Sequence, residues 1–153
     1  MSHATTGQED ARAVLAAGRR AVDVCLAAVS EAAPGARSAV VDALTGRVDG
    51  RVLADAELLV SELATNSVQH AGLAAGELVR VGAAVSDGVV RLEVDDPGST
   101  GAIAAREPDV ERGGGFGLWL VDALAHAWGV SRESRTRVWV ELVCRPAMGA
   151  LRA

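Results

Sequence analysis

The sequence predicts an α+β fold, in which helices cover one face of a mostly antiparallel, mixed sheet. In the first half of the 153 residues, apolar positions recur with helical spacing, and much of the second half alternates between apolar and polar residues. The order along the chain is helices, a hairpin, a long loop, one more helix and a second hairpin. This order predicts a two-layer α/β sandwich.

Three helices are predicted before the first strand. The pattern is helical from about residue 9 to residue 33, where Pro34 ends it. A short helix follows over residues 38–44, and a longer one runs from about residue 53 to residue 70. No strand is evident before these helices.

Two hairpins supply the predicted sheet. Residues 77–85 and 88–94 alternate, and a Ser-Asp-Gly turn joins them. A helix over residues 118–127 separates this hairpin from a second one, formed by residues 129–132 and 136–143. We expect Trp119 and Trp139 to be core aromatic residues.

The chain is predicted to hold one domain. Residues 1–8 are expected to be a disordered tail, residues 9–145 a single folded domain, and residues 146–153 a second tail. The two cysteines, Cys25 and Cys144, fit no metal-binding spacing and are expected to be buried thiols.

Charge and composition exclude several classes of function. The formal net charge is −5 and no basic patch is visible, so direct nucleic-acid binding is not expected. All 15 basic residues are arginine, which excludes a lysine-based phosphate-binding loop. The chain shows neither a signal peptide nor a run that could span a membrane, and we expect a cytoplasmic protein.

A polar stripe on the third predicted helix is the first candidate site. Glu62, Asn66 and His70 recur every four residues and therefore share one helical face. An amide oxygen can bind Mg²⁺, and a carboxylate one turn away can deprotonate an attacking hydroxyl group. A solvated helix face would carry the same residue types, so the stripe alone is not decisive.

The end of the second strand is another candidate. The Asp96 carboxylate there can accept a hydrogen bond from an adenine amino group, and Gly98 lets the backbone approach a ring closely. An ordinary turn would also explain Asp-Pro-Gly.

A long loop with a glycine cluster completes the set. Residues 99–114 read as a mobile loop of the length that is usually functional. Glycines at the start of the following helix expose N–H groups that favour phosphate. The candidate residues here are Gly113, Gly114, Gly115, Phe116, Gly117 and Leu118.

In order and spacing, these three elements resemble the N, G1 and G2 boxes of the GHKL ATPase superfamily, which includes gyrase, Hsp90, histidine kinases and mismatch-repair ATPases. The resemblance covers about residues 53–143 and is closest to the small bacterial anti-sigma-factor serine kinases and their actinobacterial relatives. It includes the run Ser-Glu-Leu-Ala-Thr-Asn-Ser-Val-Gln-His-Ala over residues 61–71. The resemblance implies a Bergerat-type ATP-binding fold with ATP and Mg²⁺ as ligands.

The resemblance also implies roles for single residues. Asn66 matches the Mg²⁺-binding asparagine, Glu62 the general base and Asp96 the adenine-binding aspartate, with Gly98 beneath the ring. Gly115 and Gly117 match glycines that line the phosphates, and residues 99–114 match the ATP lid. His70 matches a histidine often found at the end of this helix.

Other positions of the resemblance leave alternatives open. Arg112 either steadies a γ-phosphate or is a surface charge. The second glycine of the G1 box, Gly101, is displaced by one residue. Arg137 occupies the usual threonine position of the last strand, so one hydrogen bond near the adenine is either missing or made by Thr136. The first strand of the family fold is not evident, so the sheet either has one strand fewer or packs differently at its start.

The leading hypothesis for function is a serine/threonine protein kinase that uses Mg-ATP. The implied partners are a sigma factor, an anti-anti-sigma-factor-like protein or both, and a second copy of the chain in a homodimer. One alternative is a switch module that holds ATP or ADP without transferring phosphate. Another is an interaction domain that has lost nucleotide binding.

Overall fold

The computed structural model describes residues 19–70, 77–97, 116–132 and 135–144. Both predicted tails and the predicted lid lie outside these ranges. Within them the chain forms five strands and three helices. Their bounds are β1 Arg19–Ala27, α1 Ala32–Leu44, α2 Gly50–His70, β2 Leu78–Ser86, β3 Val89–Asp96, α3 Phe116–Leu124, β4 Ala127–Arg132 and β5 Thr136–Val143.

The strands form one sheet in the order β1-β2-β3-β5-β4. All four pairings between the described strands are antiparallel. The helices pack on one face of this sheet, with α2 between α1 and α3 and in contact with β2, β3 and β5. The predicted α+β two-layer sandwich is therefore confirmed.

The first strand corrects the sequence analysis, because residues 19–27 form β1 and not part of a helix. Side chains of β1 alternate, with Val22, Val24 and Leu26 turned to the core and Cys25 exposed. Alanine and arginine favour helices, and their abundance here hid the period of two. Pairing with β2 stabilises the strand conformation of these residues, which the local sequence does not favour. The expectation that Cys25 is buried is also wrong.

Helix α1 also differs from the prediction at its start. Pro34 was expected to end a helix, but it lies in the first turn of α1, where its missing N–H leaves no helical bond unmade. The predicted end is confirmed. Thr45 donates from its N–H to the carbonyl oxygen of Val41 at 2.9 Å, and Gly46 follows with φ of 81°.

Helix α2 begins at Gly50, slightly before the predicted start, and ends at His70 as predicted. Its N-cap is Asp49, whose Oδ1 accepts a hydrogen bond from the Val52 N–H at 3.0 Å. One stripe of the helix is buried against the sheet and α1. The stripe consists of Val52, Ala56, Leu59, Val60, Leu63 and Ala64.

The hairpins match the prediction closely. Asp87 and Gly88 both have positive φ, 49° and 77°, as a two-residue type I′ turn requires. The bounds of β5 are as predicted, whereas α3 ends at Leu124 and not at Ala127, which begins β4. Across the described ranges, no helix combines the length and apolar character needed to cross a bilayer.

The face of the sheet turned away from the helices carries charged residues that are nevertheless buried. Arg91, Glu93 and Asp95 alternate with the apolar core positions of β3, and each is at most 5% exposed. Trp139 lies on the same face, 4% exposed, with the Arg91 guanidinium carbon 4.5 Å from its ring centroid. Trp119, expected in the core, is 41% exposed.

Candidate functional site

Helix α2 carries the predicted catalytic pair at the edge of its buried stripe. Glu62 and Asn66 are both half-buried, four residues apart, next to positions that are fully enclosed. A half-buried carboxylate and amide can each reach a ligand while keeping a fixed backbone position. His70 is the last residue of α2.

The ends of β3 and β5 bring two further predicted residues together. Asp96 is the direct cross-strand partner of Thr136. Both are buried, at 4% and 3% exposure, and both continue the strand positions that face the helices. The Asp96 carboxylate and the Thr136 hydroxyl therefore lie side by side on the face of the sheet that the helices cover. Helix α2 contacts both of their strands, β3 and β5.

The neighbouring residues Asp95 and Arg137 point the other way. Arg137 donates from Nε and Nη2 to the two carboxylate oxygens of Asp95, at 2.8 and 3.0 Å. These hydrogen bonds raise the pKa of Arg137. Arg137 therefore belongs to the opposite face, and Thr136 is the strand residue that lies next to Asp96.

The position of Thr136 bears on the last strand, where Arg137 occupies the usual threonine position. The register places Thr136 opposite Asp96, as the alternative in which Thr136 makes this hydrogen bond requires.

Only the last part of the glycine cluster, from Phe116 onward, lies within the described residues. Helix α3 begins at Phe116, earlier than the predicted start at residue 118, so Phe116, Gly117 and Leu118 form its first turn. The N–H groups of a first helical turn have no partner within the helix and favour anions. The remaining candidates, Gly98, Gly101, Arg112, Gly113, Gly114 and Gly115, lie outside the described residues.

One polar residue of this region was missed by sequence reasoning. Ser67 directly follows Asn66, is 7% exposed, and makes no side-chain hydrogen bond within the described part of the chain. The sequence did hold a signal, because Ser67 lies one turn beyond Leu63 on the apolar stripe of α2. A small polar residue on such a stripe marks a polar neighbour or a ligand.

The protein oxygen atoms in this region fit a Mg²⁺ ion that takes most of its ligands from a nucleotide and water. No group of three or more His, Cys, Asp or Glu side chains is placed to hold a metal ion among the described residues. Asn66 offers one amide oxygen. Mg²⁺ in nucleotide sites takes one or two protein ligands, and phosphate and water supply the rest.

A comparison with known protein families identifies one match. A family model described as the histidine kinase-like ATPase domain matches residues 25–143. The match runs from within β1 to the end of β5 and includes Glu62, Asn66, Asp96 and Thr136. No curated protein matches the chain.

Proposed function

Because this chain belongs to the histidine kinase-like ATPase domain family, whose members bind ATP, we propose that it is a serine/threonine protein kinase of the anti-sigma-factor type. It phosphorylates a small antagonist protein in the cytoplasm, and it also binds a sigma factor. The observation that carries this proposal is the pairing of Glu62 and Asn66 one turn apart on the half-buried edge of α2.

Nucleotide binding is assigned to two parts of the chain. Asp96 accepts a hydrogen bond from the adenine amino group, with the Thr136 hydroxyl beside it. The first turn of α3 is assigned to the phosphates, and so are Gly113, Gly114 and Gly115. Arg112 is assigned to the γ-phosphate, and residues 99–114 to the lid.

Phosphoryl transfer needs few protein groups in this scheme. Glu62 accepts the proton of the substrate serine hydroxyl, and the serine oxygen attacks the γ-phosphorus in line. The bond to the β-phosphate oxygen breaks, which leaves ADP and a phosphoserine. Asn66 would hold Mg²⁺, and the ion would neutralise charge on the phosphates.

Replacement of Glu62 tests this role. Transfer of label from radiolabelled ATP to candidate antagonist proteins should fall by about 10²-fold or more in Glu62→Gln, because the base is lost. Binding of Mg-ADP should be retained, since the proposal assigns Glu62 to the serine hydroxyl and not to the nucleotide. Glu57→Gln is the matched control, because Glu57 lies on the same helix and, among the described residues, makes an exposed ion pair with Arg37 at 3.9 Å.

Two results would redirect the proposal. Equal transfer by Glu62→Gln and wild type would remove Glu62 from the mechanism. Bound ATP that stays intact through long incubation with partners would instead support the switch module, which the displaced Gly101 and the Arg137 of the last strand motivate.

We also propose a homodimer, as in relatives of the kinase subgroup. Light scattering at working concentration should give twice the chain mass of 15.6 kDa. A mass of one chain would contradict it.

A further inference from the structure

The face of the sheet turned away from the helices, called the outer face below, is more deeply buried than an open sheet face. The three described helices all pack on the opposite face. Ala84 of β2 nevertheless has no exposed surface, although it lies outside the core cluster. Its side chain belongs to the outer face because it pairs with Arg91.

A stack of three residues at the centre of the outer face shows the same burial. The indole ring of Trp139 lies against Gly129, since a Cβ at Gly129 would come within 2.7 Å of it. The Arg91 guanidinium stacks on this indole and donates to Glu93 and Glu141. A guanidinium in this position above an open sheet would be hydrated, yet Arg91 is only 2% exposed. A further layer of protein therefore covers the stack.

The outer face indicates what kind of layer this is. Its buried charges already have partners, since Arg91 donates to Glu93 and Arg137 donates to Asp95. The cover therefore needs to supply apolar contact and not counter-charges. The flanking positions have small side chains and leave a shallow floor on which a helix can lie. These positions are Gly82 and Ala84 on β2 and Ala127 and Gly129 on β4.

Residues 9–18, which precede β1 and lie outside the described residues, have the sequence that such a cover needs. Ala11, Val14, Leu15 and Gly18 recur at i, i+3, i+4 and i+7, which is the pattern of one apolar helix face. The apolar side chains of this face are small to medium in size, as a shallow floor requires.

The segment at the other end of the chain, residues 145–153, is less suited to this position. It contains Pro146 and Gly149, and both residues disfavour a helix in so short a segment.

The starting point and length of residues 9–18 also agree with the outer face. They lead into β1, an edge strand, and β5, which carries Trp139, lies three strands away. At about 4.8 Å between neighbouring strands, this distance is about 14 Å. Ten residues in a helix span about 15 Å. A helix that starts from the edge at β1 can therefore reach the Trp139 stack.

We propose that residues 9–18 form a helix that lies across the outer face and covers Ala84, Arg91 and Trp139. Its apolar side, with Val14 and Leu15, contacts the sheet. The inference does not depend on the proposed kinase activity, because the nucleotide site is assigned to the face that α2 covers.

Tryptophan fluorescence of the full chain tests this cover. Replacement of Trp119 and Trp128 by phenylalanine gives a parent chain in which Trp139 is the single tryptophan. Acrylamide should quench its fluorescence only weakly. Val14→Asp with Leu15→Asp should increase the quenching constant severalfold, because buried unpaired carboxylates are costly and the helix would leave the face.

Ala13→Asp with Ala16→Asp is the matched control for this change. It adds the same two charges to the same segment, but on the opposite side of the helix, where they meet solvent. Quenching should stay as weak as in the parent chain. Circular dichroism checks that the domain remains folded in both double variants.

Four results of the quenching experiment would overturn the proposal. Strong quenching in the parent chain would show that the outer face is open. Unchanged weak quenching in Val14→Asp with Leu15→Asp would show that another group covers Trp139. Quenching that rises when the parent chain is diluted would identify a second copy as the cover. A rise in Met148→Asp with Leu151→Asp would identify residues 145–153.

Hydrogen exchange of the unaltered chain is a second test that needs no substitution. Amides of residues 13–18 should exchange more slowly than those of residues 1–8, because they are hydrogen-bonded within a helix that is held on the sheet. Equally fast exchange in the two segments would also overturn the proposal.

Discussion

Two adjacent carboxylates of β3 have different roles because successive side chains of a strand point to opposite faces. Asp95 faces away from the helices and binds Arg137 and Arg80, whereas Asp96 faces the helical layer beside Thr136. The sequence indicated Asp96 as the adenine ligand from its family position. Arg137, which occupies the usual threonine position of the last strand, lies on the face of Asp95, and Thr136 lies on the face of Asp96.

Replacement of each carboxylate by the isosteric amide should distinguish the role of Asp95 from that of Asp96. Asp95→Asn should lower the free energy of unfolding by about 2 kcal/mol, because it weakens charge-assisted hydrogen bonds to two arginines that are each about a third exposed. Its binding of Mg-ADP should be unchanged. Asp96→Asn should lose Mg-ADP binding. Urea unfolding and nucleotide titration measure both, and the reverse assignment of effects would contradict these roles.

At the scale of elements, the sequence was most informative where a local pattern and the tertiary environment agree. The β2–β3 hairpin, the end of α2 and both bounds of β5 could be predicted, since turn chemistry or alternation marks them. β1 could not, because its alanine and arginine favour a helix and its partner β2 lies more than fifty residues away. The lid and most of the glycine cluster lie outside the described residues, so those predictions stay untested.

The β4–β5 hairpin offers a test of element packing. Gly129 pairs with Trp139, and a Cβ at Gly129 would lie 2.7 Å from the indole ring. Gly129→Ala must displace a side chain that is 4% exposed, and should cost about 1–3 kcal/mol.

Gly50→Ala is the matched control for this change. No atom lies within 4 Å of a Cβ added at Gly50, in the first turn of α2, so its effect should be neutral or stabilising by up to about 1 kcal/mol. Equal losses of unfolding free energy in the two variants would show that Trp139 does not pack on Gly129.

At the scale of the whole molecule, the two faces of the sheet are stabilised differently. The helical face is apolar except at the strand ends that carry Asp96 and Thr136, whereas the other face carries linked ion pairs and Trp139. Arg91 lies at the centre of that face and donates to Glu93 at 3.0 Å and to Glu141 at 3.1 Å. The sequence predicted the sandwich but not this network, because alternation of charge along β3 reads equally well as a solvated face.

Removal of one partner from these buried ion pairs should lower the free energy of unfolding. Arg91→Met leaves the buried Glu93 carboxylate with weaker compensation, and should lower the free energy of unfolding by about 3 kcal/mol. Arg91→Met with Glu93→Leu should recover most of the loss, since both charges are then absent. Arg37→Met, which breaks an exposed pair at 3.9 Å, should cost less than about 0.5 kcal/mol. A loss in Arg91→Met no larger than in Arg37→Met would show that the network contributes little.

The most direct test of the nucleotide site is a thermal melt with and without Mg-ADP and Mg-ATP. Nucleotide at about 100 times its Kd should stabilise the native chain by roughly 2.7 kcal/mol, which is a rise of several degrees in Tm for a domain of this size. The rise should require Mg²⁺ and disappear in Asn66→Ala. It should persist in Gln69→Ala, an exposed amide on the same helix. No rise in the wild-type chain at millimolar nucleotide, or a rise that Asn66→Ala retains in full, would contradict the site proposed on α2.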